Sequence, residues 1–235
     1  MDVALLPDQV VPQLWAAYKK TKEYKDGQIK VIPPHHKLVE TQEKHELRTI
    51  YEKFVNSLDK DKNQKVELEH RNVGDWLNEW KTMHTLLFKH ILKDRGGWRK
   101  INVRFGSPGD EEIYHIPNHW NVGKEIGFLA KTIQEKLKQK HSSMEDIFRT
   151  LAIIHYQFIR IHPFADGNGR IARAITDQLA LYFGLPVAMG GYPRHDLKRR
   201  FAYHKAIRDC ADDPECKELS LWIKSYIDKQ LELIA

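Results

Sequence analysis

Residues 162–173 read His-Pro-Phe-Ala-Asp-Gly-Asn-Gly-Arg-Ile-Ala-Arg, and no other part of the 235-residue chain is as rich in groups that could handle a phosphate. The stretch holds an imidazole, a carboxylate, two glycines around an asparagine, and two arginines within about three helical turns of backbone. A helical pattern ends just before it, and another begins at Gly169. The sequence therefore predicts a loop that joins two helices and has its glycines at the start of the second.

The rest of the chain also has a mainly helical pattern. Apolar residues recur at steps of three and four, which is typical of amphipathic helices. Helices are expected at about residues 40–58, 71–93, 121–139, 143–160, 169–183, 194–210 and 214–234. Ser142 and Glu145 are expected to form a capping box at the start of the 143–160 helix. The predicted fold class is therefore all-α.

One β-hairpin is predicted within residues 101–116. Residues 101–105 and 112–116 alternate in polarity, and Gly-Ser-Pro-Gly-Asp at 106–110 supplies the turn between them. A hairpin is only marginally stable in water by itself, so it must pack on the helices or await a partner. The expected architecture is a helical domain that carries one hairpin.

Composition and charge exclude several classes of protein. The 38 Lys and Arg residues exceed the 32 Asp and Glu residues, which gives a formal net charge of +6 that suits an anionic ligand. Only Cys210 and Cys216 occur, so neither a disulfide framework nor a zinc site of paired cysteines is expected. The first residues lack the basic start of a signal peptide, and no apolar run is long enough to span a bilayer. We expect a protein of the cytoplasm, either in the cell that makes it or in a host cell that receives it.

The Gly-Asn-Gly core of the stretch predicts an anion site. It lies at the amino terminus of the predicted 169–183 helix, where unpaired N–H groups and the helix dipole favour negative charge. The two glycines allow consecutive N–H groups to converge on an anion. Arg170 and Arg173 are three residues apart and share a helix face, and their planar side chains suit phosphate oxygens.

Asp166 and His162 add chemistry to this site. A carboxylate repels a phosphate unless a cation lies between them, and one carboxylate with phosphate oxygens is a usual ligand set for Mg²⁺. The imidazole of His162 can accept a proton from an attacking hydroxyl near neutral pH. Beside a metal-bound polyphosphate it would serve a phosphoryl-type transfer, in which positioning and charge neutralisation supply most of the catalysis. Phe164 is expected to turn inward and anchor the loop.

A dinucleotide-binding fold is a rival interpretation, because Gly167-x-Gly169-x-x-Ala172 fits a loose glycine fingerprint. That fingerprint needs a preceding strand within a βαβ unit. Here the preceding segment is helical and no parallel strand follows, so this interpretation is rejected.

The stretch resembles the signature of the Fic family, His-x-Phe-x-Asp/Glu-Gly-Asn-Gly-Arg-x-x-Arg, at every defined position. The resemblance extends to Gly97-Trp98-Arg99 before the predicted hairpin and to an Arg-x-x-Tyr segment that ends at Tyr203. It covers about residues 86–235, which are therefore expected to form the Fic domain, a helical bundle with one hairpin flap. Residues 1–85 are expected to be an N-terminal helical extension packed on that core.

The resemblance implies a protein adenylyltransferase, which moves AMP from ATP to a Ser, Thr or Tyr hydroxyl of a target protein and releases pyrophosphate. It implies that His162 deprotonates the hydroxyl and that Asp166 holds Mg²⁺ against the phosphates. The target is expected to dock on the hairpin flap at residues 101–116 by strand addition. The implied phosphate- and nucleotide-binding residues are Gly167, Asn168, Gly169, Arg170, Arg173 and Tyr203.

The resemblance does not extend to the inhibitory motif that regulates many Fic proteins. Many Fic proteins carry Ser/Thr-x-x-x-Glu-Gly/Asn in an inhibitory helix, whose glutamate pairs with the second arginine of the signature. No serine or threonine of this chain begins that motif. We therefore expect that the activity is restrained by a separate inhibitory protein of the antitoxin type, or is not restrained.

Two other functions stay open from the sequence. The same scaffold could transfer another group, such as UMP, GMP, phosphate or phosphocholine, although relatives that phosphorylate carry lysine in place of Gly169. A non-enzymatic nucleic-acid module is suggested by aromatic residues, Phe201 and Tyr203, among the basic residues of one predicted helix. No recognisable reader motif surrounds them, so nucleic acid is not expected as a ligand. The basic residues are Arg194, Lys198, Arg199, Arg200 and Lys205.

Overall fold

The computed structural model describes residues 68–87, 95–103, 116–186, 189 and 196–234. Six α-helices have both ends within these ranges, residues 68–70 are also helical, and a short 3₁₀ turn, His119–Asn121, precedes the second of the six. None of the residues described is in a β-strand, which agrees with the predicted all-α class. The helices are Val73–Leu87 (α1), Val122–Lys138 (α2), Met144–Ile161 (α3), Asn168–Tyr182 (α4), Leu197–Asp209 (α5) and Lys217–Ile234 (α6).

Each of these helices begins within three residues of its predicted start. The agreement follows from the apolar periodicity, because a helix buries one face whose residues recur at steps of three and four. The predicted hairpin falls mainly on residues 104–115, outside the described residues. The predicted helix at 40–58 and most of the expected N-terminal extension, residues 1–85, also lie outside them.

The start of α3 corrects one detail of the sequence analysis. The N-cap is Ser143 rather than Ser142, and its hydroxyl accepts a hydrogen bond from the N–H of Asp146 at 3.2 Å. The carboxylate of Asp146 accepts in turn from the N–H of Ser142 at 3.3 Å. Asp146 takes the place predicted for Glu145, because it is the third residue of the helix that Ser143 caps.

Helix α4 is buried on all its faces from Asn168 to Ala180. It packs along α3, and a helix enclosed in this way needs partners for its polar side chains. Asp177 accepts a hydrogen bond from the N–H of Met189 at 2.7 Å, and Gln178 donates to Glu79 of α1 at 3.0 Å. The stretch 162–173 therefore leads into a helix whose position is set by the core.

Helix α1 belongs to the same core. Trp76 and Trp80 have no exposed surface, and Trp80 meets Phe158 of α3 edge to face, with ring centroids 5.6 Å apart. The predicted boundary between the extension and the Fic domain, at residues 85 and 86, falls near the end of this helix. The division of the chain at that point stays a prediction.

Two simpler expectations concern membranes and cysteines. Among the described helices, none combines the length and the apolar character that a membrane span requires. The two longest of them, α3 and α6, have 18 residues each, and both carry charged side chains. Cys210 and Cys216 are buried as free thiols, as expected for a chain without a disulfide framework.

Candidate active site

His162 ends helix α3 in a left-handed conformation. Its backbone has φ 49° and ψ 59°, and its N–H donates to the carbonyl of Phe158 at 3.1 Å. This conformation is costly for a residue other than glycine, so surrounding contacts must hold it. The side chain is 4% exposed, and its Nδ1 lies 3.2 Å from the carbonyl oxygen of Ile159. Because a carbonyl oxygen can only accept, Nδ1 is the donor in this hydrogen bond and carries a proton.

Asn168 fastens the loop 163–167 to the start of α4. Its Oδ1 accepts a hydrogen bond from the N–H of Phe164 at 2.9 Å, and its Nδ2 donates to the carbonyl of the same residue at 2.9 Å. Asn168 has no exposed surface, so both bonds are shielded from water and costly to break. The side chain of Asn168, which the resemblance assigns to the phosphates, thus braces the loop, and its backbone N–H lies in the first turn of α4.

Phe164 anchors the middle of the loop in the core. It has no exposed surface, and its ring lies 5.0 Å from that of Trp98, measured between centroids. The same ring stacks on His84 of α1 with 4.0 Å between centroids and 12° between planes. The inward position expected from the sequence is confirmed.

His84 holds the loop from outside the signature. The N–H of Gly96 donates to its Nδ1 at 2.9 Å, so the proton is on Nε2, which donates to the carbonyl of Asp166 at 3.1 Å. Burial, together with the nearby charge of Arg170, lowers the pKa of His84 from 6.5 to about 4. The imidazole is therefore neutral near pH 7. No sequence signal distinguishes it from an ordinary buried residue of α1, and the sequence analysis assigned it no role.

Arg99 is a second contact from outside the signature. Its backbone N–H donates to the carbonyl of Pro163 at 2.8 Å, and its Nε donates to the carbonyl of His162 at 2.8 Å. The sequence drew attention to Arg99 only through the family resemblance of Gly97-Trp98-Arg99. These two bonds hold the consecutive carbonyl groups of His162 and Pro163 in place.

The start of α4 can accept an anion and a cation side by side. Gly167 is the N-cap and has φ 80°, a conformation that glycine adopts freely. The half-buried carboxylate of Asp166 accepts a hydrogen bond from the N–H of Gly167. Within the described ranges, no group of three or more His, Cys, Asp or Glu side chains could hold a metal ion. A Mg²⁺ ion here would therefore depend on Asp166 and on phosphate oxygens of a ligand, which is a donor set that suits this ion.

Arg170 and Arg173 place two positive charges in the first turns of α4. Both are buried, with exposed fractions of 5% and 4%. The charge of Arg170 lowers the pKa of His84, and the charge of Arg173 lowers the pKa of His155, so each guanidinium lies near a different imidazole. Their charges add to the positive end of the α4 dipole, which favours an anion at this place.

Tyr203 lies in the core and contacts His155 rather than the loop. It is 1% exposed, and its hydroxyl lies 2.7 Å from Nε2 of His155. The other ring nitrogen, Nδ1, lies 2.8 Å from the hydroxyl oxygen of Thr176, whose own proton goes to the carbonyl of Ala172. His155 therefore donates to Thr176 and accepts from Tyr203. Burial, with the nearby charge of Arg173, lowers the pKa of His155 to about 3.

The basic residues of α5 are not all available to a ligand. Arg200 is only 7% exposed, and Lys205, although exposed, is paired with Asp209 at 2.6 Å. Phe201 is 71% exposed whereas Tyr203 is buried, so the two rings do not form one platform on which bases could stack. These positions argue against the nucleic-acid interpretation.

Residues 76–180 match the model of the Fic/DOC family. Among curated proteins, a protein named "Protein adenylyltransferase Fic" from Drosophila sechellia is 26% identical over 165 residues, which cover 65% of this chain and 31% of the relative. A protein of the same name from Drosophila erecta is 24% identical over 184 residues, which cover 73% of this chain and 33% of the relative. The chain thus spans about a third of the length of the curated relatives it matches.

Solved structures of Fic proteins are similar to this chain in fold. Fic-1 from C. elegans has a TM-score of 0.56 and 17% identity, and the match covers 80% of this chain and 50% of that one. A Fic family protein from Desulfovibrio desulfuricans has a TM-score of 0.54 and 18% identity, covering 98% and 64%. BepC from Bartonella tribocorum, with bound AMPPNP, has a TM-score of 0.51 and 18% identity, covering 76% and 86%.

Proposed function

From the Fic/DOC-family domain that the chain carries at residues 76–180, we propose that it is a protein adenylyltransferase, which transfers AMP from ATP to a Ser, Thr or Tyr hydroxyl of a target protein. The name of the curated relatives, and their identity to this chain over about two thirds of its length, support the proposal. The bound AMPPNP in BepC supports an adenine nucleotide as a ligand of this fold.

The proposed reaction is a substitution at the α-phosphorus of ATP. The hydroxyl oxygen of the target forms a bond to this phosphorus, and the bond from the phosphorus to the oxygen that bridges to the β-phosphate breaks. The hydroxyl proton passes to Nε2 of His162, which returns it to water after the transfer. The products are the target protein with AMP on its side chain, and pyrophosphate.

The hydrogen bond of the His162 ring is the observation that carries this proposal. Its Nδ1 donates to the carbonyl of Ile159 at 3.2 Å, so in a neutral imidazole Nε2 is the nitrogen that would accept the proton of the substrate. The loop 163–167 connects this base directly to the anion-favouring start of α4, and Asn168 braces that loop. A general base and a phosphate site are thus joined by a short, well-bonded segment.

The start of α4 would bind the phosphates. Gly167, Asn168 and Gly169 would donate backbone N–H groups, and Arg170 and Arg173 would bind phosphate oxygens through their guanidinium groups. The lysine of phosphorylating relatives is replaced here by Gly169, which favours transfer of AMP over transfer of phosphate.

Asp166 would hold Mg²⁺ between its carboxylate and the phosphates. When bound, the ion would neutralise phosphate charge that builds up as pyrophosphate leaves. The contact of Tyr203 with the nucleotide stays a prediction, because its described bond is with His155. The target protein would dock on residues 101–116.

Intact-mass spectrometry of the full chain, incubated with Mg²⁺ and each nucleoside triphosphate in turn, tests the proposal. We expect an AMP-sized mass gain on the chain or on proteins of a cell lysate, with ATP only, and a loss of at least about 100-fold in the His162→Ala variant. Ser143→Ala, which removes the cap at the far end of α3, is the matched control and should keep the activity. A UMP-, GMP- or phosphate-sized gain would replace the proposed donor, and a gain that survives His162→Ala would refute the proposed mechanism.

Regulation is proposed to come from a separate inhibitory protein, or to be absent. The chain has no Ser/Thr-x-x-x-Glu-Gly/Asn motif, so no internal glutamate is expected to block Arg173. The isolated chain should therefore be active on addition of ATP and Mg²⁺. An isolated chain that becomes active only after one of its own glutamates is replaced would contradict this.

A further inference from the structure

Arg200 of α5 is a buried cation that has no partner among the described residues. It is 7% exposed, and its Nε and Nη1 are shielded from water without a hydrogen-bond acceptor in the described ranges. No ion pair between described residues includes it. A buried charge without a partner is costly. An anion that binds Arg200 would therefore relieve a cost that the free chain carries.

Arg99 shows how the fold pairs another buried guanidinium. It is 4% exposed, and its side chain donates to the carbonyls of Ile101 and His162, each at 2.8 Å. Arg200 is nearly as buried and lacks such bonds in the part of the chain that the structure describes. Hydrogen bonding within the fold therefore accounts for the burial of Arg99 and does not account for that of Arg200.

The buried charge in the described ranges is mostly positive. Four arginines are buried, and the one acidic residue buried with them, Asp177, accepts a hydrogen bond from the N–H of Met189. Like charges repel one another more strongly in a low dielectric than in water, so an excess of buried positive charge favours an anionic ligand. The buried arginines are Arg99, Arg170, Arg173 and Arg200.

The direction of α5 follows from two contacts with α3. Near the middle of both helices, the hydroxyl of Tyr203 lies 2.7 Å from Nε2 of His155. In the short turn between α5 and α6, Glu215 pairs with Arg149, near the start of α3, at 2.9 Å. The end of α5 thus lies beside the start of α3. The two helices therefore run antiparallel, and the start of α5 is directed towards the end of α3, where the Fic signature begins.

Two arginines lie one turn nearer to the signature than the residues that bind His155. Arg200 precedes Tyr203 by about one turn of α5, and Arg173 precedes Thr176 by about one turn of α4. Tyr203 and Thr176 both bind the ring of His155. Because the side chains of a helix slant towards its amino terminus, both guanidinium groups extend further in the direction of the signature. Arg173 and Arg200 thus approach the candidate phosphate site from two helices.

We propose that Arg200 is a further phosphate-binding residue of the candidate active site, which together with Arg173 binds the phosphates of the nucleotide. The inference rests on the proposed function in one respect, that a nucleoside triphosphate is the ligand. The planar guanidinium suits phosphate oxygens, because it donates several hydrogen bonds in fixed directions. Arg200 is then unfavourable in the free chain and favourable in the complex, which a side chain that only fills space would not be.

Arg200→Met in the full chain tests both parts of this statement, because methionine keeps an unbranched apolar side chain and removes the charge. The first readout is the affinity for AMPPNP with Mg²⁺, measured by calorimetry. It should fall at least about tenfold with the loss of hydrogen bonds from a charged group. The second readout is thermal unfolding without ligand, whose midpoint should rise by at least about 2 °C, because an unpaired buried charge is removed.

Arg199→Met is the matched control. Arg199 is the neighbouring residue of α5, is exposed, and has its guanidinium carbon 5.2 Å from the ring centroid of Tyr226. The variant removes the same charge from the same helix, so it separates a specific contact from the general effect of net charge. Its AMPPNP affinity should stay within about threefold of that of the unaltered chain, and its midpoint should not rise.

Inorganic pyrophosphate with Mg²⁺ identifies the part of the nucleotide that Arg200 contacts. Its affinity should fall in Arg200→Met by about the same factor as that of AMPPNP, because the phosphates are the part that the two ligands share. A loss of affinity for AMPPNP alone would place Arg200 at the base or the ribose, and would overturn the inference.

Two further results would overturn it. One is an AMPPNP affinity that falls less than about threefold in Arg200→Met. The other is a lower midpoint of that variant, or its failure to fold, which would show that the free chain needs the charge. The proposed function is judged separately, by AMP transfer. A chain that binds AMPPNP and pyrophosphate but labels no protein would contradict the proposed transferase and would leave the test of Arg200 intact.

Discussion

His84 and His155 are both buried, neutral imidazoles, but they support different sides of the candidate active site. His84 reaches the loop from α1 and donates to the backbone carbonyl of Asp166. His155 lies in α3, and its side chain forms hydrogen bonds with the hydroxyls of Thr176 and Tyr203. We call these the loop side and the helix side. The comparison shows that similar burial and similar pKa shifts occur in a group that binds the backbone of a loop and in a group that packs helices together.

The largest expected effect is one that both sides share, the loss of stability in acid. The pKa of each histidine is lower in the folded chain, about 4 for His84 and about 3 for His155, than the 6.5 of the unfolded chain. Below pH 6.5 the unfolded chain binds more protons, so the free energy of unfolding falls as the pH falls towards these values. Between pH 7 and pH 5 each histidine should remove about 2 kcal/mol, or about 4 kcal/mol together.

Urea unfolding of the full chain at pH 7 and pH 5 measures this effect. Glutamine cannot titrate, so His84→Gln and His155→Gln should each remove about half of the difference between the two pH values. Equal halves would show that both histidines stay neutral in the folded chain down to pH 5. A variant that leaves the pH dependence unchanged would show that its histidine binds a proton as readily in the folded chain as in the unfolded chain.

The next effect belongs to the loop side alone. Asn168→Ala removes both hydrogen bonds that brace Phe164 and leaves its buried N–H and carbonyl without these partners. We expect a loss of about 2–3 kcal/mol in the free energy of unfolding and a fall of at least about 100-fold in AMP transfer. The control is Ser143→Ala, which should cost about 1 kcal/mol with little change in transfer. An Asn168→Ala variant with full transfer activity would mean that the bracing of the loop is dispensable.

The loop side also shows which part of the site can be predicted from sequence. The signature residues were found because they are adjacent, so the spacing of His162, Asp166 and Arg170 is visible in one short stretch. His84 and Arg99 were missed as parts of the site, because their contacts cross 82 and 63 residues of sequence and go to backbone carbonyls. Every residue has a backbone carbonyl, so the residue pattern does not indicate which carbonyl a distant side chain binds.

The fold followed from the sequence more completely than the site did. The position of each helix follows from apolar periodicity, which is a local property of its own segment of sequence. The cap of α3 was misplaced by one residue because two serines are adjacent, and only the backbone conformation decides which one lies outside the helix. The role of Tyr203 was difficult to predict for a similar reason. The sequence does not distinguish a tyrosine that binds a buried imidazole from one that contacts a nucleotide.

A smaller effect should separate the two sides at neutral pH. His84→Leu should lower AMP transfer about tenfold, because leucine cannot donate to the carbonyl of Asp166, whereas His155→Leu should change transfer by less than about threefold. The measurement is the initial rate at saturating ATP and pH 7.5, beside the unfolding free energy of each variant. Both variants should lose similar amounts of unfolding free energy. If the transfer rate falls equally in both variants, the loop side and the helix side do not differ in their effect on transfer.

The smallest effect concerns the hydroxyl of Tyr203 on the helix side. Tyr203→Phe keeps the buried ring and removes only the donor to Nε2 of His155, so it should lower the free energy of unfolding by about 1 kcal/mol. Calorimetry with AMPPNP and Mg²⁺ should give an affinity within about twofold of the unaltered chain, because this hydroxyl is engaged with His155. A tenfold loss of affinity with unchanged stability would instead place the hydroxyl at the nucleotide. The helix side would then take part in substrate binding, and its separation from the loop side would fail.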